Sequence, residues 1–476
     1  MAIVVVLHGL LVFIFTLRIL IRNDLSPPAR LAWFIILNVM PYFGVAVYFL
    51  FGEIDIGKRS QKRHDEIFDE ISGSASDFMG EKGAANRLVE PVYRQAFLYA
   101  SSINGFHTVA GNTAELMADA NTSVQRIIED IDEATEHVHV LYYIWLDDTT
   151  GKALAEALIR ASHRGVTCRA MADGLGSRAL LKSALWRRMK EAGVQLAVAL
   201  PLKRPIKVML TSRFDLRNHR KITVIDGRIT YCGSRNSADP EFLPKAKFAP
   251  WVDIMMRFTG PVVAQNQLLF ASDWMQATGE SLAGFTLVLE PEAGGFPAQV
   301  MGVGPTERRA ATPQLFSNLI ASAQHELILS TPYFVPDATV LEALCAAAHR
   351  GVTVTLIYPR KNDSWIVAAV SHSYYHRLLG AGCFIHEYRD GLLHAKTLTI
   401  DGKVTLIGST NLDLRSFDLN YENNILLYDE ATTQAVVSRQ QEYLDCSDAV
   451  ALPDVLAWPH YRNIWNNVIA TIGPVL

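Results

Sequence analysis

Apolar residues are unevenly spread along this chain, and the two densest runs come first. Ala2 to Leu17 is almost continuously apolar, interrupted only by His8, Gly9 and Thr16. Arg18 and Arg22 follow, then a short Asn23-Asp24-Leu25-Ser26-Pro27-Pro28 connection. Leu31 to Phe51 is a second apolar run, broken mildly by Asn38, Pro41 and Gly44. A membrane-spanning helix needs about 20 such residues. The second run meets that length, and the first meets it if Ile19 to Ile21 are counted and Arg18 snorkels. The pattern predicts a transmembrane helical hairpin over residues 1–52, with helices at about 2–21 and 31–51. No basic segment precedes the first run and no A-x-A cleavage site follows it, which argues against a signal peptide. From Gly52 to about Glu90 the chain turns polar and includes Ser72-Gly73-Ser74-Ala75-Ser76, so residues 53–109 read as a juxtamembrane linker and entry segment. Lys58, Arg59, Lys62 and Arg63 within it are read as stop-transfer flanking charge, with contact to anionic headgroups as the alternative.

The remainder is duplicated. His219 to Asn236 reads HRKITVIDGRITYCGSRN, and His394 to Asn411 reads HAKTLTIDGKVTLIGSTN, with half of the positions identical and no gap. Upstream, Ser162-His163-Arg164-Gly165-Val166-Thr167 matches Ala348-His349-Arg350-Gly351-Val352-Thr353. Each of these blocks ends an Ala/Leu-rich helical stretch and leads into an apolar strand, Cys168 to Ala172 or Val354 to Tyr358. Strands over Val138 to Trp145 and Leu327 to Val335 precede the two helices. Strand, helix, strand, helix, hairpin therefore occurs twice, and predicts two similar α/β domains packed face to face, over 110–290 and 291–476. The final apolar stretch, Trp465 to Leu476, reads as a helix docked on the body, with membrane contact as the alternative.

Each copy of the motif is H-x-K-x4-D-x6-G-S-x2-N. Ile222 to Ile225 and Thr397 to Ile400 are β-branched or apolar, so the motif lies on a strand, where residues two apart share a face. His219 and Lys221 thus project together, as do His394 and Lys396. Asp226 and Asp401 each precede Gly between two strands, a hairpin signal that gives them a turn-fixing role more readily than direct chemistry. The second arm delivers Ser234 with Asn236, and Ser409 with Asn411. One His-x-Lys on a strand means little, but two matched copies related by a pseudo-two-fold can converge on one cleft. Two His, two Lys, two Ser and two Asn there suit a phosphate group. Lysine and amide donors neutralise its nonbridging oxygens, one neutral histidine attacks phosphorus, and the other donates a proton to the leaving alcohol. No carboxylate-rich metal cluster accompanies the motif, so the expectation is chemistry with neither metal nor cofactor.

Composition adds location rather than chemistry. The mean hydropathy of +0.14 is high for a soluble enzyme of 476 residues, and the excess sits in the first 51. Net charge is −4 and the pI about 6.4, so no global basic field points to nucleic acid. The five cysteines, Cys168, Cys232, Cys345, Cys383 and Cys446, are scattered without CxxC spacing, which favours a reducing compartment. Positive charge divides almost evenly between Arg18, Arg22 and Arg30 in the connection and the four basic residues after the second run, so the thiols carry the orientation and point to a cytoplasmic body.

The duplicated motif resembles the signature of the phospholipase D superfamily over about residues 110 to 476. That resemblance implies two phospholipase D-like α/β domains with one active site between them, and a catalytic set of His219, Lys221, Asp226, His394, Lys396 and Asp401. It favours His219 as nucleophile and His394 as acid, although the pseudo-symmetry permits the reverse. It also implies an acidic residue downstream of each motif that orients a histidine. Glu422, in Asn420-Tyr421-Glu422-Asn423-Asn424, matches that position in the second half. Asp253, in Trp251-Val252-Asp253, is its counterpart in the first, six residues further on. Within the superfamily the paired N-terminal helices, Pro41-Tyr42-Phe43-Gly44 and the terminal Ile472-Gly473-Pro474-Val475-Leu476 resemble the bacterial cardiolipin synthase family. Membership implies a multi-pass protein of the bacterial inner membrane that moves a phosphatidyl group between two phosphatidylglycerol molecules, with the bilayer as partner and no nucleic acid. The basic stretch Lys203-Arg204-Pro205-Ile206-Lys207, with Arg213, Arg217, Arg220 and Lys221, reads as a headgroup-binding mouth or as a solvated loop. The competing readings are a membrane-bound phospholipase D releasing phosphatidic acid, a superfamily nuclease, and a scaffold without activity.

Overall fold

The computed structural model describes residues 2–23, 25–52, 57–201, 213 and 215–472. Three helices open the chain: α1 (Ala2–Ile21), α2 (Pro27–Val39) and α3 (Pro41–Phe51). The run from Leu31 to Phe51 is therefore not one helix, a departure from the sequence pattern with a local cause. Pro41 disfavours helical geometry at the preceding residue, and Met40 sits at φ −133° and ψ 67°. The chain then doubles back, so that Trp33 meets Tyr48 edge-on at 5.1 Å. Gly44 permits the approach, since a Cβ there would lie 2.9 Å from the Ile36 carbonyl oxygen. With 13 and 11 residues, α2 and α3 reach about 20 and 17 Å at 1.5 Å per residue. Among the described residues no helix is long and apolar enough to cross a membrane. Ile19, Trp33, Leu37 and Tyr48 form a small core of their own, while Ile3, Phe13, Leu20, Val39 and Phe43 face outward.

The polar segment after α3 is not an open linker. Lys58–Ser74 forms α4, whose apolar positions Ile67 and Ile71 are buried against the body. The helix Pro91–Asn104 follows and packs Tyr93, Phe97 and Ala100 into the core of the second half.

The body is built on strands β1 (Val109–Leu116), β2 (His137–Tyr142), β3 (Thr167–Asp173), β4 (Gln195–Ala199), β5 (Arg217–Asn218), β6 (Lys221–Ile225), β7 (Ile229–Gly233), β8 (Trp251–Val252) and β9 (Met255–Thr259) in the first half. The second half contributes β10 (Phe296–Val303), β11 (Glu326–Ser330), β12 (Thr353–Pro359), β13 (Phe384–Tyr388), β14 (Leu392–Leu393), β15 (Thr397–Ile400), β16 (Val404–Gly408), β17 (Asn420–Tyr428) and β18 (Ser447–Val450). One sheet runs through both halves in the order β18-β13-β12-β11-β15-β16-β17-β10-β1-β9-β7-β6-β2-β3-β4. The sequences β1-β9-β7-β6-β2-β3-β4 and β10-β17-β16-β15-β11-β12-β13 are topologically equivalent, so the internal repeat is a repeat of strand order. They join at β1 and β10, paired antiparallel. In each half a parallel pair (β2–β3 or β11–β12) is connected through a helix, Thr149–His163 or Ala338–His349. Those strands are buried on both faces, as the covering helices require.

The terminal helix, His460–Ile472, packs on the helix Trp365–Gly380 through Ile469. It leaves Tyr461, Ile464, Trp465 and Val468 exposed at i, i+3, i+4 and i+7 spacing. Residues 473–476 of the predicted apolar end lie outside the described residues.

Candidate active site

Two short strands set the geometry. β5, immediately before His219, pairs with the start of β17, so that the His219 N–H donates to the Tyr421 carbonyl at 2.8 Å. β14, immediately before His394, pairs with β8, and the His394 N–H donates to the Val252 carbonyl at 2.8 Å. Each histidine is thereby placed beside the acid of the opposite half. His219 Nδ1 lies 2.7 Å from Glu422 Oε2, and His394 Nδ1 lies 2.6 Å from Asp253 Oδ1. The acids are fixed in turn by the serines of the motifs. Ser409 Oγ donates to Glu422 at 2.5 Å and Ser234 Oγ donates to Asp253 at 2.6 Å. Ser416 adds a second donor to Glu422 at 2.8 Å.

The lysines share the histidines' face, as strand parity predicts. Lys221 Nζ donates to the His219 carbonyl and Lys396 Nζ to the His394 carbonyl, each at 2.6 Å. Asn236 accepts from the Ile144 N–H through Oδ1 at 3.1 Å, while Asn411 is equally buried and its backbone N–H donates to Ser416 Oγ at 3.2 Å.

Asp226 and Asp401 are not brought into this cleft, which corrects their place in the catalytic set. Both occupy the left-handed region at φ 51° and are followed by Gly at φ 66° and 63°, the geometry of a tight hairpin. They sit at the far ends of β6 and β15 from the lysines. The Asp226 carboxylate accepts from the N–H groups of Thr135, Glu136 and His137 at 2.8 to 2.9 Å. Asp401 does the same for Gln324, His325 and Glu326 at 2.7 to 2.9 Å, and also accepts from the Tyr93 hydroxyl. These carboxylates fix the entrances of β2 and β11. Asp401→Ala orphans three N–H groups and forces alanine to φ 51°, so it is expected to cost about 3 kcal/mol of stability. Thermal unfolding followed by circular dichroism checks this. Turnover measured well below the transition should stay within about threefold of the parent.

The described members of the basic stretch turn inward rather than forming a headgroup-binding mouth. Arg213 pairs with Asp215 at 2.7 Å, and Arg217 is buried. Arg220 pairs with Asp273 at 2.8 Å. Residues 203–207 lie outside the described residues. Two aromatic neighbours were not singled out from sequence. Tyr143 lies edge-on to His219, ring centroids 4.8 Å apart, and Trp251 covers His394 at 4.5 Å. Their only signal is position: Tyr143 directly follows β2, and Trp251 stands two residues before Asp253.

Burial dominates the electrostatics. Burial pushes His219 and His394 down to about 4, against the attraction of Glu422 and Asp253. It likewise pushes Lys221 down to about 8 and Lys396 to about 7. Burial alone would raise the two acids, but the His394 imidazole beside Asp253 and the His219 imidazole beside Glu422 hold both below the usual range. Ionised carboxylates accept, so each Nδ1 carries the hydrogen and each Nε2 is turned to the cleft. The empty site is therefore short of protons. A bound phosphate-like anion raises the pKa of every imidazole and ammonium around it, so binding takes protons up. Calorimetry with orthovanadate near pH 8, in two buffers of different ionisation enthalpy, should show uptake of about one proton and affinity that falls as pH rises. Binding without proton exchange contradicts this charge assignment.

The geometry can be set beside known proteins. The family model described as "Cardiolipin synthase, PLD-like domain" matches residues 127–247 and 316–443, and one described as "Phospholipase_D-nuclease N-terminal" matches 10–53. Cardiolipin synthase A of Serratia proteamaculans is 32% identical over 98% of this chain and 97% of its own length. Cardiolipin synthase A of Edwardsiella ictaluri is 33% identical over 97% of this chain and 95% of its own. Among solved structures, phosphatidylserine synthase of Haemophilus influenzae shares the fold, with a TM-score of 0.58 at 15% identity over 81% of this chain and all of that one.

Proposed function

The chain belongs to the cardiolipin synthase family of phospholipase D-like proteins, and on that premise we propose that it transfers a phosphatidyl group from one phosphatidylglycerol to the glycerol hydroxyl of a second. The observation that carries this reading is the pair of crossed dyads, His219–Glu422 and His394–Asp253, with Lys221 and Lys396 beside them in one buried cleft. His219 Nε2 attacks phosphorus, the bond to the departing glycerol oxygen breaks, and His394, protonated at Nε2 by the proton taken up when the phosphodiester binds, gives that oxygen its proton. The hydroxyl of the second phosphatidylglycerol then loses a proton to His394 and displaces His219 from phosphorus, giving cardiolipin. Net consumption is two phosphatidylglycerols for one cardiolipin and one glycerol. Lys221 and Lys396 neutralise the phosphoryl oxygens in both steps, and burial keeps water from competing with the alcohol.

The same proposal places the protein at a bilayer. Phe13, Leu20, Val39 and Phe43 of α1 to α3 are exposed large apolar side chains, and hydrocarbon is the medium that suits them. Tyr461, Ile464 and Trp465 of the terminal helix have the aromatic and aliphatic composition of a headgroup-level contact. A tether holds the cleft at high local lipid concentration. The proposed setting is the bacterial inner membrane with the body on the cytoplasmic side.

Product analysis tests the reading. Purified full-length protein in phosphatidylglycerol vesicles, with chelator present, should yield cardiolipin and glycerol in equal amounts. Phosphatidic acid as the main product would mean that water captures the intermediate and would reject the transferase assignment.

A further inference from the structure

On the strand face opposite His219 and Lys221, the chain turns Asn218 and Arg220 towards a second cavity of about 310 Å³, a volume at the lower end of small-molecule sites. α4 forms one wall through Ile67, Phe68 and Ile71, and Phe106, Leu268 and Leu269 complete a mainly apolar interior. At one end stand four ionisable groups. Arg220 is committed to Asp273 at 2.8 Å and to the Glu422 carbonyl at 3.2 Å. His64 Nε2 lies 3.8 Å from Glu307 Oε1. Burial raises the Glu307 carboxyl to about 7 and lowers His64, so near neutrality Glu307 is only partly ionised and His64 adds little positive charge.

We propose that this cavity binds a single-chain amphiphile with a neutral, hydroxyl-bearing headgroup, at a site separate from the catalytic cleft. The apolar interior takes the chain, and the polar end, lined also by Ser60, Ser272 and Gln276, takes the hydroxyls. Among the described lining residues a phosphate headgroup finds no uncompensated cation, because Arg220 is already paired and its partner Asp273 repels an anion. The site is close in sequence to the N-terminal helices, since α4 begins seven residues after α3 ends. The Arg220 brace to the Glu422 carbonyl places the occupant one side chain away from the dyad that orients His219. The inference stands whichever lipid is the donor, because none of the described lining residues is a catalytic group.

The test uses the full chain in phosphatidylcholine nanodiscs, titrated with 1-octylglycerol by calorimetry and corrected with empty nanodiscs. One saturable site per chain is expected. Ser272→Phe and Ala277→Phe, both partly or fully exposed positions on the helix Val262–Thr278, project bulk into the cavity. Each should weaken binding at least tenfold without lowering the melting temperature. Octyl phosphate should bind at least tenfold more weakly than octylglycerol, and glycerol alone should not saturate. Heat equal to that of empty nanodiscs overturns the site. Unchanged binding in both variants overturns its location, and octyl phosphate binding as tightly as octylglycerol overturns the neutral headgroup.

Discussion

His219→Ala is expected to remove turnover by about 10⁴-fold or more, and His394→Ala to come close to it with the natural substrate, both with folding intact. The two losses should separate when the leaving group departs as a stable anion and needs no proton. With a p-nitrophenyl phosphodiester, His394→Ala should still release about one equivalent of nitrophenol per chain in a rapid burst, because His219 can attack without acid assistance. His219→Ala should release none above background. The experiment reads directly which histidine forms the bond to phosphorus. A burst in His219→Ala and none in His394→Ala would reverse the roles while leaving the two-histidine mechanism in place. Full activity of either variant on lipid would refute the mechanism. Intact folding is checkable by the melting temperature. Both imidazoles are buried, and both titrate below their free value, so each contributes stability that is present above pH 6.5 and lost as pH falls towards 4. Alanine removes that dependence, so neither variant should lose stability between pH 6.5 and 5 as steeply as the parent.

Much of the fold and half of the site were legible in the residues. The strand period placed His219 with Lys221 and His394 with Lys396, and the Asp-Gly turns placed Asp226 and Asp401 at the hairpin. The repeated order of strand and helix gave two α/β halves. Comparing the repeats in one dimension places Glu422 after the second motif and Asp253 after the first, but does not say which histidine each acid serves. The exchange between halves depends on β5 pairing with β17 and β14 with β8, contacts across about 200 and 140 residues that no local pattern announces. The six-residue offset of Asp253 also has its explanation in the fold. The interval from Asn236 to Asp253 holds the 3-10 helix Leu243–Phe248, and that from Asn411 to Glu422 the shorter helix Leu414–Asp418, yet β8 and the start of β17 each still pair with the strand before the opposite histidine. At the other end of the chain, hydropathy saw the second apolar run as continuous because Pro41 is itself compatible with an apolar average. Its effect is on the backbone of Met40, which hydropathy does not measure. α4 was missed for a related reason: Gly and Ser at 72–76 lower helix propensity, while the burial of Ile67 and Ile71 against the helix Val262–Thr278 overrides it.

The crossed dyads make a prediction that same-half pairing does not. Glu422→Gln leaves the volume of the side chain but removes the charge that holds the His219 Nδ1 hydrogen and stabilises the imidazole as it becomes cationic on attack. The expected loss in kcat is about 10³- to 10⁴-fold, with KM within a few-fold, because the carboxylate acts on the reacting group and not on the lipid. Asp253→Asn should give a comparable loss on lipid through His394. The nitrophenyl substrate again divides them. If Glu422 serves His219, Glu422→Gln abolishes the burst and Asp253→Asn retains it. Pairing within each half would give the opposite result, with the burst surviving in Glu422→Gln. The pH profile supplies a second readout. Glu422 and Asp253 both oppose the burial that pushes Lys221 down to about 8. Losing Glu422 therefore lowers Lys221 further, and the residual activity of Glu422→Gln should fall off on the alkaline side at lower pH than in the parent. Loss of activity without that shift would mean that Glu422 acts by position alone, and that the charge of the site is balanced by other groups.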